Sequence, residues 1–94
     1  MEVLFTPSAR AGFLAAIAAI RRDNRDAARK FYRKATSSLK RLSSFPDSGT
    51  IIAEFPELPY REIYVKPYRF FYRVRGETVW IVAVWHGAQV PDEP

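Results

Sequence analysis

The sequence predicts an α+β domain: a two-helix antiparallel hairpin packed on one face of a small, mainly antiparallel sheet, in the order β-α-α-β-β-β. Three observations predict it. Residues 7–22 and 25–43 repeat apolar side chains three and four apart, which is the helical period. Residues 61–86 hold three apolar or alternating runs punctuated by Pro67 and Gly76, which read as strands. At 94 residues the chain is one domain spanning 1–94, long enough to bury a modest core.

The elements follow in order. Glu2–Phe5 is a short apolar strand. Thr6-Pro7 starts a helix, because Thr caps free N–H groups and Pro fits the first helical position. Phe13, Ile17 and Ile20 form its apolar stripe to about Arg22. Asp23-Asn24 breaks that helix and caps the next, which runs from about Arg25 to Ser43 with Ala28, Phe31, Ala35, Leu39 and Leu42 on one side. Phe45-Pro46 ends the hairpin, since a residue before Pro leaves the helical region. Pro46, Gly49, Pro56 and Pro59 mark a loop that Ile51-Ile52 anchors to the core. Strands follow at Arg61–Lys66, Tyr68–Arg75 and Thr78–His86, with a hairpin turn at Gly76-Glu77. The tail from Gly87 is short and acidic, with no helical pattern.

Composition narrows the function. Hydrophobic residues at 48% and 7 Phe, 5 Tyr and 2 Trp argue against a disordered chain. The absence of Cys removes thiolate metal sites, disulfides and Cys nucleophiles, and a single His makes no metal site, so no metal or cofactor is expected. No apolar run approaches the ~20 residues of a membrane span, so no membrane partner is expected. Glu2 stands where a secretory signal carries positive charge, which predicts a cytoplasmic protein. The net charge of +5 is uneven: residues 1–41 hold ten Lys/Arg against three acids, whereas residues 42–94 hold five against seven. A basic half suits an acidic partner, either nucleic acid or a negatively charged protein segment.

Alternation in Tyr68–Arg75 separates two faces. Tyr68, Phe70, Tyr72 and Val74 are expected under the helices; Arg69, Phe71, Arg73 and Arg75 are expected on the open face. Arginine forks bind phosphates or carboxylates, and a ring among them can stack on a base. The same arginines can equally be a solvated face paired to Glu62 and Glu77. The basic side of the second helix, with Arg29, Arg33 and Lys40, reads as a solubilising face or as a dock for an acidic partner. His86 closes the last strand as either a structural residue or a proton shuttle.

The joint order of these pieces resembles the RelE/ParE toxins of bacterial type II toxin–antitoxin systems, the plasmid stabilisation family. The matching residues are Thr6-Pro7-Ser8-Ala9, Asp23-Asn24 with Ala27-Ala28 and Phe31, Leu39, Leu42 and Phe45-Pro46, Arg61-Glu62, Pro67-Tyr68-Arg69, Tyr72-Arg73-Val74 and Val84-Trp85-His86-Gly87. They extend over residues 2–89. The resemblance implies a toxin neutralised by a cognate antitoxin whose toxin-binding segment is acidic or partly disordered. Operator DNA is then contacted only indirectly, through the antitoxin. RelE-like members cut mRNA on the ribosome without a metal, and ParE-like members inhibit DNA gyrase by protein–protein contact without being enzymes.

A nuclease of this kind needs cations for the phosphorane and a group that activates the ribose 2′-OH. Arg69 matches the family's sheet arginine, and Arg73 and His86 are the remaining catalytic candidates. The neighbouring strand offers Tyr60, Glu62 and Tyr64 where RelE-like members carry basic residues, and Ala88-Gln89 replaces the arginines that commonly follow His-Gly. The resemblance therefore leans to ParE. The expectation is a gyrase inhibitor and not an enzyme. A ribosome-dependent endoribonuclease and a non-toxic binding partner or corepressor are the alternatives. The target- or RNA-facing set is Arg61, Glu62, Tyr64, Arg69, Phe71 and Arg73. The antitoxin-facing set is Phe13, Ile17, Arg29, Arg33 and Lys40, with the antitoxin lying in the helix grooves and a strand added at the sheet edge.

Overall fold

A computed structural model describes residues 1–87. Strand β1 (Glu2–Phe5) leads into helices α1 (Pro7–Asp23) and α2 (Arg25–Arg41), then β2 (Thr50–Ile51), β3 (Arg61–Val65), β4 (Tyr68–Arg75) and β5 (Thr78–His86). The sequence-based tail prediction lies outside the described residues, apart from Gly87.

The helix ends follow from local chemistry. Thr6 Oγ1 accepts from the Ala9 N–H at 3.2 Å, and Asn24 Oδ1 accepts from the Ala27 N–H at 3.0 Å. Asn24 is extended, so one residue both stops α1 and caps α2. That leaves a hairpin with almost no loop. α2 ends at Arg41, two residues before the expected Ser43, and Leu42 serves as its cap.

The sheet has the order β1-β5-β4-β3-β2. β1 runs parallel to β5, and every other pairing is antiparallel. The short β2 lies inside the segment expected as loop. Ile52 is the anchor there, fully buried, whereas Ile51 is exposed. Gly76, at φ +61°, opens the two-residue turn between β4 and β5.

Helices cover one face. Phe13 is the hub of the core: its ring lies 5.5 Å from Phe5, 6.0 Å from Phe31 and 5.5 Å from Phe70. Phe70, Tyr72, Val79 and Ile81 meet it from the sheet with no exposed area. In β5 the alternation is interrupted. Phe71 pairs with Ala83 but Tyr72 pairs with Ile81, which leaves Val82 as an extra residue. Such a bulge shifts which positions face which side. Before it Val79 and Ile81 face the helices; after it Val84 and His86 do.

The segment 46–50 is latched to the core by Tyr72. The phenol donates to the Pro46 carbonyl at 2.7 Å and accepts from the Gly49 N–H at 2.9 Å. A Cβ on Gly49 would sit 2.5 Å from that oxygen, so only glycine fits without displacement. Burial raises the Tyr72 pKa, and the Gly49 N–H partly offsets it.

Candidate functional site

Two surfaces carry the residues singled out by sequence. The first is the sheet face turned away from the helices. Pairing of Glu62 with Phe71 and of Tyr64 with Arg69 puts these four on it. Arg61 pairs with Tyr72, which belongs to the helix-side core, so Arg61 falls on the opposite side from Glu62. The physical reason is strand alternation: neighbouring residues cannot share a face. Arg61 instead donates from Nη1 to the Gly49 carbonyl at 2.9 Å.

This face is not open around Arg69. The segment after β2 folds across it, bringing Glu54 to the guanidinium. Arg69 donates from Nη1 to Glu54 Oε2 at 3.0 Å and from Nη2 to Glu54 Oε1 at 2.8 Å. Its Nε donates to Glu62 Oε1 at 2.9 Å, and Nη2 also meets Glu62 Oε2. Two carboxylates thus share one fork, the bidentate geometry that arginine favours. The Arg69 pKa is raised, first by the bonds to Glu62 and then by those to Glu54. Glu54 is lowered, chiefly by Arg69. The expected pairing with Glu62 is present, and Glu54, which sequence reasoning did not name, supplies the second carboxylate.

Phe71 has no exposed area, with the Arg69 guanidinium carbon 5.0 Å from its ring centroid. It is therefore unavailable to stack on a base, contrary to the expectation of an open ring. Arg73 lies on the same face with its guanidinium carbon 5.5 Å from the Tyr60 ring, and its Nε is buried without a hydrogen-bond acceptor among the described residues. Tyr64 remains exposed.

His86 points elsewhere. Its ring makes an edge contact with Tyr68 at 5.3 Å, and Tyr68 packs on Phe31 of α2. The bulge at Val82 places His86 on the helix side, whereas Arg69 and Arg73 lie on the other. The structure therefore does not bring Arg69, Arg73 and His86 together. Among the described residues, no group of three or more His, Asp or Glu side chains could hold a metal ion, and no helix is long and apolar enough to cross a membrane.

The second surface is a groove of about 590 Å³ along the outside of the helix hairpin. Ile17, Ala28 and Tyr32 supply apolar lining; Arg21, Arg25, Arg29 and Arg33 supply four guanidiniums. The only ion pair among these four, within the described residues, is Arg29 with Asp26 at 3.7 Å, and both side chains are well exposed. The structure thus gathers three of the expected antitoxin-facing residues, Ile17, Arg29 and Arg33. Phe13 is instead enclosed in the core, 8% exposed, because helix α1 turns it to the sheet. Lys40 lies exposed near the far end of α2, outside this groove. Arg21, Arg25 and Tyr32 were missed by sequence reasoning. Their signal was four-residue spacing: from Ile17 to Arg21, along Arg25, Arg29 and Arg33, and from Ala28 to Tyr32.

The fold has counterparts among known proteins. A chain of the chromosomal ParDE toxin–antitoxin system from P. aeruginosa superposes with a TM-score of 0.72, covering 92% of this chain and 95% of that one at 20% identity. That likeness shows the shared fold. No curated protein matches the chain by sequence. The family model for the ParE toxin of the type II toxin–antitoxin system, parDE, matches residues 3–91. With nearly the whole chain inside that match, the protein belongs to the ParE toxin family.

Proposed function

We propose that this ParE-family toxin arrests growth by binding DNA gyrase through protein–protein contact in the cytoplasm, and that a cognate antitoxin neutralises it. The observation that carries the choice of target is Arg69 held between Glu54 and Glu62. A phosphoryl-cleaving face needs unpaired cations where charge develops. Here the guanidinium in that position is already paired with two carboxylates. His86, on the other side of the sheet, cannot act with it. A binding surface suits this face better than a nuclease centre.

The antitoxin is assigned to the helix groove. Its apolar lining and four arginines suit an amphipathic segment bearing acids beside its anchors. The antitoxin supplies the contact with operator DNA.

The test is a gyrase supercoiling and cleavage assay with purified, antitoxin-free protein. The expected result is loss of supercoiling with trapped cleaved DNA. Normal supercoiling at saturating folded protein would overturn the reading, and mRNA cleavage on ribosomes under the same conditions would establish the ribonuclease instead. A folded protein that arrests neither would be a non-toxic partner or corepressor.

A further inference from the structure

A small cleft opens at the sheet margin where β3 begins. Arg61, the first residue of β3, pairs with Tyr72, and β4 runs on through Arg73–Arg75 with no β3 residue opposite. The cleft there holds about 110 Å³, room for one small group. Arg61 and Arg73 both line it. Strand alternation puts these two arginines on opposite sides of the sheet. Only its margin lets both reach one space.

Both arginines are held in place without being used up. Arg61 donates from Nη1 to the Gly49 carbonyl at 2.9 Å. The Arg73 guanidinium carbon lies 5.5 Å from the Tyr60 ring centroid. Its Nε is buried and has no acceptor among the described residues. Neither arginine makes an ion pair there. A buried donor left unmet is costly, so an acceptor bound beside it is favoured. Tyr72 offers the cleft only its ring, because its hydroxyl is spent on Pro46 and Gly49. Pro59 and Val74 add apolar sides. Asp47, at an exposed position, is the one acid in the lining, so two cations face one carboxylate.

We infer that this cleft binds a protonated phosphate group, either inorganic phosphate or the end of a small phosphate monoester. Guanidinium forks match phosphate oxygens, and the Arg73 Nε–H gains the acceptor it lacks. Asp47 selects among anions. An ionised carboxylate only accepts hydrogen bonds. It therefore repels a fully ionised anion but accepts from an oxygen that carries a proton. Phosphate monoesters lose their second proton only near pH 6, and inorganic phosphate keeps a proton at neutral pH. Sulfate and phosphodiesters carry none. The cleft thus fits a free phosphate end and disfavours a nucleic-acid backbone. It lies apart from the helix groove and rests on neither the gyrase nor the antitoxin reading.

The test is an NMR titration of the isotope-labelled full-length protein at about pH 6, with chloride holding the ionic strength constant. Inorganic phosphate should perturb the Arg73 Nε–H and the Arg61 and Val74 amides saturably. Methyl phosphate doing the same identifies a monoester end as ligand; its failure beside a response to inorganic phosphate identifies the free ion. Sulfate and dimethyl phosphate should bind at least about fivefold more weakly. Arg73→Lys keeps the charge, loses the Nε–H and should weaken phosphate about tenfold or more. Arg75→Lys, exposed on the same strand and outside the cleft, should bind as the wild type does. Asp47→Asn, at an exposed position, should erase the preference over sulfate and reads the site without touching either arginine. No saturable response to phosphate, equal affinity for phosphate and sulfate, perturbation confined to the helix-groove arginines, or a stronger response to an oligothymidylate would each overturn the proposal. The titration needs neither gyrase nor antitoxin. A protein that leaves gyrase untouched can still pass it, and one that poisons gyrase can still fail it.

Discussion

Glu54 grips Arg69 with both carboxylate oxygens although 15 residues separate them in sequence. The contact ties the segment after β2 across the sheet, over the fully buried Phe71. Arg69→Ala removes the fork and leaves Glu62, whose side chain is only 13% exposed, without its cation. A loss of about 2–3 kcal/mol is expected in denaturant unfolding. Glu54→Gln keeps the shape and removes one solvent-screened charge, so it should cost clearly less than Arg69→Ala. Equal losses in the two variants would show that the segment, and not the buried pair, dominates.

The same contact gives a direction with pH. Glu54 titrates below its ordinary value near 4.5 in the folded protein. Its folded form therefore binds protons less tightly than the unfolded chain. The stabilisation is present above that ordinary value and is lost as pH falls through the lowered one. Glu54→Gln should flatten the acid side of a stability–pH profile below about pH 4.5. An acid limb unchanged by the substitution would show that other carboxylates govern it.

Tyr72 makes a sharper structural prediction. Tyr72→Phe leaves the Pro46 carbonyl and the buried Gly49 N–H without their partner. The expected cost is about 1–3 kcal/mol by chemical denaturation. Gly49→Ala pushes a methyl to within 2.5 Å of the phenol oxygen and should cost at least as much. The raised Tyr72 pKa favours the neutral phenol in the folded state, so this stabilisation holds below about pH 10 and fades as pH rises through the raised value.

Asn24 serves both helices. Asn24→Ala removes the acceptor for the Ala27 N–H and should destabilise by about 1 kcal/mol. Asn24→Gly should cost only a few tenths. A thermal melt comparing the two separates capping from backbone conformation.

Charge in the helix groove should govern partner capture. The double variant Arg25→Glu, Arg29→Glu should slow association with the antitoxin tenfold or more, and the wild-type rate should fall steeply with added salt. Stopped-flow mixing at two ionic strengths measures both. A rate insensitive to salt would remove the four arginines from the encounter.

Much of this architecture was legible in the sequence because its signals are local. Thr6-Pro7 and Asn24 mark helix starts through their own side chains. The three- and four-residue spacing of Ala28, Phe31, Ala35 and Leu39 appears as the buried stripe of α2, and Gly76 makes the turn its conformational freedom allows. The basic first half of the chain likewise foreshadowed the arginine groove.

Tertiary structure alone decided which of these groups share a place. No local pattern pairs Arg69 with Glu54, because the chain between them folds back through β3. No alternation rule foresees the extra Val82, and that one residue sends His86 to the opposite face from Arg69. Phe71 reads as an open-face residue by its period, yet it has no exposed area and lies under the Arg69 guanidinium. Element type is set by neighbours a few residues apart. The chemistry of the face is set by charges and rings that meet only when the sheet closes, and here that closure turns a candidate cationic site into a neutralised one.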